Sequence, residues 1–452
     1  MVGCFFLMFN SWGLVNAYGT FLSYYREKLF SGSALYLFNL IGSTQSFVVL
    51  FLSFVVGRLL DAGHTRYLTI AGTVLTTLGC FLISVVNGKG GPGEGAYSLT
   101  WLVQGLVLGL GMACFFVTSS QVVGTHFRAR KGFAIGCVAS GASAAGLIYP
   151  VMLRYLIEIY GFNNAVRFVT LLCFLLNLVA VGLARPHPTF PIRRPDSWKS
   201  WNAWVDPSAG RNMPFILFTA AIAMMFFGFY GIFFNLEEWA AHRGVGFKGA
   251  NPPPCPLDGT NCIKPLKTYW LLAMMNGASS IGRLSSSYLC DRFGALNVHA
   301  SVTLVASCLC IFLWPFANTV PSAIAFVLLF GAFSGSVIGL PPASMAAILG
   351  PSREAQAKLG HWTGMMYTVA APFALTGPFI EGWFIKRYNY NYLTIQMFSG
   401  GCLMTAALLM VAARLMSCPK RRDSVVSTIY RVKSVSKDSV MELARYGRWE
   451  SR

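Results

Sequence analysis

Apolar positions along this 452-residue chain gather into twelve long stretches, near 3–25, 35–56, 67–87, 99–123, 132–157, 165–184, 213–235, 268–289, 299–317, 322–348, 360–386 and 392–416. Runs of about 20 apolar residues are what a helix needs to cross the hydrocarbon core of a bilayer. The expected fold is therefore an all-α membrane protein of 12 transmembrane helices in two six-helix bundles built as inverted repeats. The bundles are expected over 1–184 and 213–416, with a cytosolic linker over 185–212 and a cytosolic tail over 417–452. The linker carries four prolines between Pro186 and Pro195, which forbid a continuous helix, and then Trp198, Trp201 and Trp204, suited to the membrane interface. The stretch from Phe5 to Tyr25 is too long and too aromatic for a signal peptide and has no basic residue before Arg26, so it is read as the first permanent helix.

The polar breaks repeat as the apolar runs do. The loop after the second stretch reads GRLLDAGHTR, Gly57 to Arg66, and the loop after the eighth contains YLCDRFGALN, Tyr288 to Asn297. Each places an acidic residue beside a glycine turn: Asp61 with Gly57, Gly63 and Arg66, and Asp291 with Arg292 and Gly294. An aspartate there can face the positive end of a helix dipole, near Gly360 for Asp61 and near Lys131 for Asp291. Two such contacts would close the cytosolic side of an alternating-access carrier, and ordinary loop capping is the competing reading. The fifth stretch adds Gly132, Gly136, Ser140 and Ala144 at four-residue spacing, with Gly141 and Ala145 beside them, a ridge that lets helices approach closely.

Composition narrows the picture. Hydrophobic residues make up 55%, charged residues 11%, and mean hydropathy is +0.56. A soluble domain carries roughly twice that charge. The net charge of +19 does not mark a nucleic-acid binder, because 22 of the 35 Lys and Arg lie on the side of the linker and tail. That bias places both termini in the cytosol and brings anionic membrane lipids into contact with the protein. Cys255 and Cys262 lie in the longest outer loop, where a disulfide is permitted. The six His are scattered and form no metal or catalytic spacing, so neither an enzyme nor a cofactor is expected.

Candidate binding chemistry comes from polar residues inside the stretches. Gly13, Asn16, Thr20 and Ser23 share a face of the first, and Asn39, Ser43, Ser46 and Ser53 a face of the second. Gln45, Gln121, Tyr230, Asn235, Asn276 and Tyr367 extend the set, although buried amides also serve to bond neighbouring helices. Arg283 is an intramembrane cation that can hold a carboxylate or a structural partner. Glu27, Glu158, Glu237, Glu238 and Glu381 fall near outer stretch ends. No carboxylate stands out at mid-membrane, which favours facilitated transport or coupling through an edge group such as Glu27 or Glu381.

The chain resembles the major facilitator superfamily, whose loop motif is Gly-x-x-x-Asp-Arg-x-Gly-Arg. Within it, four stretches resemble the fungal branch of the monocarboxylate-porter family: FNSWGLVNAYGTFLSYY (Phe9–Tyr25), THFRARKGFAIGCVASGASAAGLIYPVM (Thr125–Met152), MNGASSIGRLSSSYLCDRFG (Met275–Gly294) and LTGPFIEGW (Leu375–Trp383). The resemblance implies a secondary transporter of a small organic molecule: an organic acid, a vitamin-like compound or an exported secondary metabolite. It departs from the animal lactate carriers, with Gly19 in place of a lysine and Ser279 in place of an aspartate one turn before Arg283. Those departures point away from proton-coupled lactate transport, leaving protons as an optional partner. The expected form is a monomer in the plasma membrane, with the vacuolar membrane as the alternative. The functional alternative is a transporter-like nutrient sensor without flux.

Overall fold

The computed structural model describes residues 1–30, 35–88, 95–127, 131–188, 192, 198–199, 204–248 and 266–417. Cys255, Cys262, Trp201 and the tail from 418 lie outside the described residues.

The chain runs as α1 (2–29), α2 (Leu35–Asp61), α3 (Thr65–Val86), α4 (Tyr97–His126), α5 (Lys131–Tyr160) and α6 (Phe162–Leu183). After the linker come α7 (Met213–His242), α8 (Thr268–Phe293), α9 (Ala295–Phe316), α10 (Val320–Leu349), α11 (Leu359–Arg387) and α12 (Leu393–Ser417). Nine of these, all but α1, α8 and α11, are long and apolar enough to cross a membrane by length and composition. Helix α1 is interrupted at Ser11 and Ala17 and ends in a π-helical turn, Tyr25–Leu29. Helix α11 contains Pro372 and Pro378, and α8 carries Asn276, Arg283 and a run of serines. Helix α1 is set apart by its interruptions, α8 and α11 by their polar residues, and all three take part in the contacts between the two halves.

Local chemistry fixes the helix ends. Asn212 caps α7 by accepting from the Phe215 amide at 3.1 Å, with Pro214 in the first turn. Thr319 and Ser322 form a reciprocal capping box at the start of α10. Gly63 and Gly294 take φ of +89° and +86°, left-handed turns that reverse the chain at the two loops with related motifs.

Every third helix faces outward. Helices α3, α6, α9 and α12 are 33–50% buried over their apolar windows, against 61–72% for α2, α4, α5, α7 and α10. Phe81, Leu171, Leu175, Phe312, Leu408 and Leu415 stay exposed on those outer helices, as lipid contact requires. The two halves meet along α2–α11 and α5–α8, among the most extensive helix contacts in the molecule, and again where α1 meets α7. Small residues make these seams possible. A Cβ on Gly136 would collide with the Ser287 hydroxyl, and one on Gly364 would lie 2.6 Å from the Ser53 carbonyl oxygen. The small-residue ridge of α5 is shared out: Gly132 and Gly136 face α8, while Gly141 faces the Phe5 backbone of α1.

Candidate substrate compartment and its two closures

Along the inter-half seams, side chains from both halves line a narrow compartment of about 10 Å³, closed down to room for about one water. Trp12 of α1 donates its indole N–H to the Tyr230 hydroxyl of α7 and stacks on Phe116 of α4, ring centroids 4.6 Å apart. Phe116 meets Tyr367 of α11 at 4.9 Å. Arg283 of α8 lines the same space at 3% exposure. Its Nη1 donates to the Ala139 carbonyl of α5 at 2.7 Å and its Nε to Ser279 Oγ at 3.5 Å. Ser279 in turn bonds Ser143 of α5 at 2.8 Å. A guanidinium carries five donors, more than these two acceptors occupy. Aromatic walls with a single cation suit a planar or amphipathic organic molecule bearing an acidic or carbonyl oxygen.

Of the polar residues singled out from the sequence, Tyr230, Arg283 and Tyr367 come together here. The rest are distributed elsewhere. Asn16 donates to the Ala142 carbonyl at 3.4 Å, and Gln45 contacts Met112 Sδ at 3.1 Å, both within the first half. Asn235 bonds the Gly231 carbonyl and meets Asn39 across the halves at 3.3 Å. Asn276 packs on Gly146. Thr20 and Gln121 belong to the two closures. Trp12 and Phe116 were not singled out, although Trp12 borders the polar face of α1 carrying Gly13 and Asn16.

On the face that holds the chain termini, helix ends close the compartment. A Cβ on Gly57 would lie 2.7 Å from the Gly360 carbonyl oxygen, so α2 and α11 touch backbone to backbone. Asp61 Oδ1 lies 2.7 Å from the Cβ position of Gly360, over the first turn of α11, and the Gln121 amide presses on the same point. Asp291 Oδ1 lies 2.8 Å from the Cβ position of Gly132, in the first turn of α5. Both aspartates thus sit where helix dipoles present positive charge. Asp61 is buried; Asp291, Arg66 and Arg292 are exposed, with Arg292 4.8 Å above the Tyr288 ring. The linker is fastened to this face as well. Asp206 accepts from Lys358 Nζ at 3.0 Å and Trp362 Nε1 at 3.1 Å, and His361 bonds the Trp204 carbonyl at 2.7 Å. Partial burial works against the Asp206 charge, yet hydrogen bonds from Ser208, Trp362 and Lys358 hold its carboxyl well below the usual carboxylate range.

The opposite face closes by charge. Arg26 pairs with Glu238, Arg154 with Glu237 at 3.3 Å, Lys248 with Glu27 at 3.5 Å and Lys267 with Glu158 at 2.9 Å. Each of these four pairs joins one half to the other, and the cation comes from the first half in two and from the second in two. Glu237 is fully buried and also accepts from Thr20 at 2.7 Å and Thr268 at 2.9 Å. Burial pushes the Lys248 ammonium down to about 8 despite the Glu27 and Glu237 carboxylates nearby. The sequence placed these carboxylates near stretch ends without partners, because pairing across halves leaves no local spacing to read.

Two helical halves packed along shared seams, with every third helix turned outward, have the architecture of a multi-pass membrane protein. The chain belongs to the Major Facilitator Superfamily, whose profile matches residues 1–373. The MFS-type transporter dbaD of Emericella nidulans is 28% identical over 415 residues, covering 91% of this chain and 85% of its own length. The agnestins efflux protein of Paecilomyces divaricatus is 26% identical, covering 92% of this chain and 86% of its own. The aspyridones efflux protein apdF of Emericella nidulans is 24% identical, covering 91% and 76%. The E. coli fucose:proton symporter has the same fold at a TM-score of 0.61 and 15% identity, with 92% of this chain and 98% of that one covered.

Proposed function

We propose that this transporter exports a small organic molecule of the secondary-metabolite class by alternating access. The observation that carries this reading is the aromatic compartment with Arg283 at its edge, sealed at each end by contacts made between the same two halves. Opening one set while the other holds would expose the compartment to one side at a time. On this reading Asp61 and Asp291 with their glycines form the cytosolic gate, and the four cross-half ion pairs form the outer gate. Trp12, Phe116, Tyr230, Arg283 and Tyr367 hold the cargo.

Export is favoured over uptake because relatives aligned over 91–92% of this chain are named as efflux proteins of aspyridones and agnestins. The excess of Lys and Arg on the side of the linker and tail supports a cytosolic position for the termini and the Asp61 gate. We assign the carrier to the fungal branch of the monocarboxylate-porter family on the four stretches that resemble it, and to the plasma membrane as a monomer. Ser279 in the turn before Arg283 is hydrogen-bonded to Ser143, so this position braces α5 against α8 and brings no acid to the arginine.

The test compares metabolites in cells and medium of a deletion strain and an overexpressing strain. A compound retained inside on deletion and released on overexpression supports export and identifies the cargo. A compound left unused in the medium on deletion reverses the direction. If no compound moves in either strain, transport is not the function and the nutrient-sensor reading replaces it.

A further inference from the structure

The carboxyl of Glu381 is the one acidic group in α11, and it stands apart from both gates. It is fully buried. Ser399 of α12 donates to its Oε1 at 3.0 Å, while Oε2 has no hydrogen-bond partner. That free oxygen is pressed against α7 at Gly231, where any Cβ would collide with it. The groups facing this carboxyl bring no positive charge. Helix α7 offers the Gly231 backbone, α9 the thiol of Cys310, and α12 Ser399 with the thiol of Cys402. Across the seam, α2 brings Asn39 to the Pro378 carbonyl and Tyr36 to Phe379. Lys386, further along α11, lies over the Tyr36 ring at 5.6 Å. A carboxylate enclosed by apolar groups and one hydroxyl is strongly disfavoured, whereas a neutral carboxyl is tolerated.

One side of α12 supplies a candidate route to it. Tyr392, Gln396 and Ser399 follow one another at four- and three-residue spacing, and the Gln396 backbone N–H donates to the Tyr392 carbonyl, so all three share one face of α12. All three are buried. The Tyr392 hydroxyl and both side-chain amide atoms of Gln396 have no partner in the protein, which is unusual for buried polar atoms; water or a proton carried along this side would satisfy them. The path begins at the outer gate, where Tyr392 lines a cavity together with Arg26, Glu27, Glu238 and Lys248. It ends against α7, the helix that carries Tyr230 to the compartment and Glu237 and Glu238 to the outer gate.

We infer that Glu381 is a proton-binding site, loaded from the outer face along the Tyr392–Gln396–Ser399 side of α12, and that its protonation drives the export cycle. One proton from outside water converts the carboxylate to the carboxylic acid, and the neutral group lets α7 close on it. Ionisation on the cytosolic-open side of the cycle returns the proton to water and pushes α7 away. The mechanism rests on the carrier reading, but the presence of the proton is measured without any cargo.

The experiment is infrared difference spectroscopy of the full chain in phosphatidylcholine–phosphatidylglycerol vesicles, wild type minus Glu381→Gln. The expected result is a carboxylic C=O stretch at neutral pH that fades as pH is raised and shifts on transfer to D₂O. Tyr392→Phe and Gln396→Leu should slow that isotope shift without removing the band. If Glu381→Gln does not fold, Glu381→Asp replaces it, and the band should then move rather than vanish. The absence of a protonated carboxyl at neutral pH overturns the proposal. So does a band that neither titrates nor exchanges, which is the behaviour of a fixed structural acid. Exchange unchanged by both route variants overturns the path along α12. A failure here leaves transport itself untouched, and failure of the metabolite test leaves the protonation result standing.

Discussion

The two ends of the compartment are sealed by different physics. At the face of the chain termini, Asp61 and Asp291 rest on the first turns of α11 and α5, and glycines let the backbones meet. At the opposite face, four ion pairs cross between the halves, one of them ending on a carboxylate with no exposure at all. A carboxylate at a helix start is worth about 0.3–2 kcal/mol, depending on burial. A buried ion pair that loses one partner costs about 3–5 kcal/mol. The contrast implies that the dipole gate is tuned by fit and the ionic gate by charge, so one should fail by bulk and the other by neutralisation.

The largest effect is expected from Arg154→Met, which leaves Glu237 buried with Thr20 and Thr268 but without its guanidinium. On the reading that the ionic face is the outer one, its closure should weaken by about 3–5 kcal/mol, read as lost amide-exchange protection at the outer ends of α1 and α7. Next comes Gly57→Val. The added side chain meets the Gly360 carbonyl at the α2–α11 contact, so the terminal face should loosen by about 1–3 kcal/mol, with protection lost at the start of α11. Asp61→Asn should weaken the same face by about 1–2 kcal/mol, and Asp291→Asn, at an exposed site, by about 0.3–1 kcal/mol. Reversal of the order of Asp61 and Asp291 in exchange measurements would break the link between burial and gate strength.

Lys248 sharpens the comparison through pH. Its ammonium is held down to about 8 when buried in the closed outer face, against an ordinary value of 10.5. Lys248 is the exception among the four pairs: burial outweighs its carboxylate partners, so its charge opposes closure while the other three pairs favour it. Below about 8 it is charged in both states and the penalty is complete; between about 8 and 10.5 the closed state sheds the proton first, so closure gains as pH rises. Amide exchange at the outer end of α7, corrected for its intrinsic pH dependence, should therefore slow across that window. The trend should vanish in Lys248→Met. The smallest effect is Lys267→Ala: its pair with the exposed Glu158 is worth about 0.2–1 kcal/mol and should fade with added salt.

The long apolar runs made the helices legible, and the repeated loops made their pairing with distant helix starts legible too. Gly360 and the start of α5 were reachable by reasoning because a helix dipole needs only a position. Contacts that depend on both halves at once were not. Thr20 looked like a cavity residue because its hydroxyl recurs at helical spacing with Asn16; it points instead to Glu237, which is 217 positions away. Gln121 went the same way, since nothing local distinguishes an amide that faces cargo from one that meets Gly360. Glu381 fell near the end of its apolar run, yet it is enclosed, because α7 presents Gly231 at that level and admits the carboxyl into the packing. The compartment was half legible: Tyr230, Arg283 and Tyr367 stood out as polar residues in apolar runs, whereas Trp12 and Phe116 were hidden among the 14% of residues that are aromatic.

The central claim is that the two closures exchange: weakening one should strengthen the other. Hydrogen–deuterium exchange of Arg154→Met against wild type, both in lipid, tests it directly and needs no cargo. The account predicts reciprocal change, with faster exchange at the outer ends of α1 and α7 and slower exchange at the terminal-face ends of α2, α5, α8 and α11. Loosening at both faces together, or a change confined to the neighbours of residue 154, would contradict it.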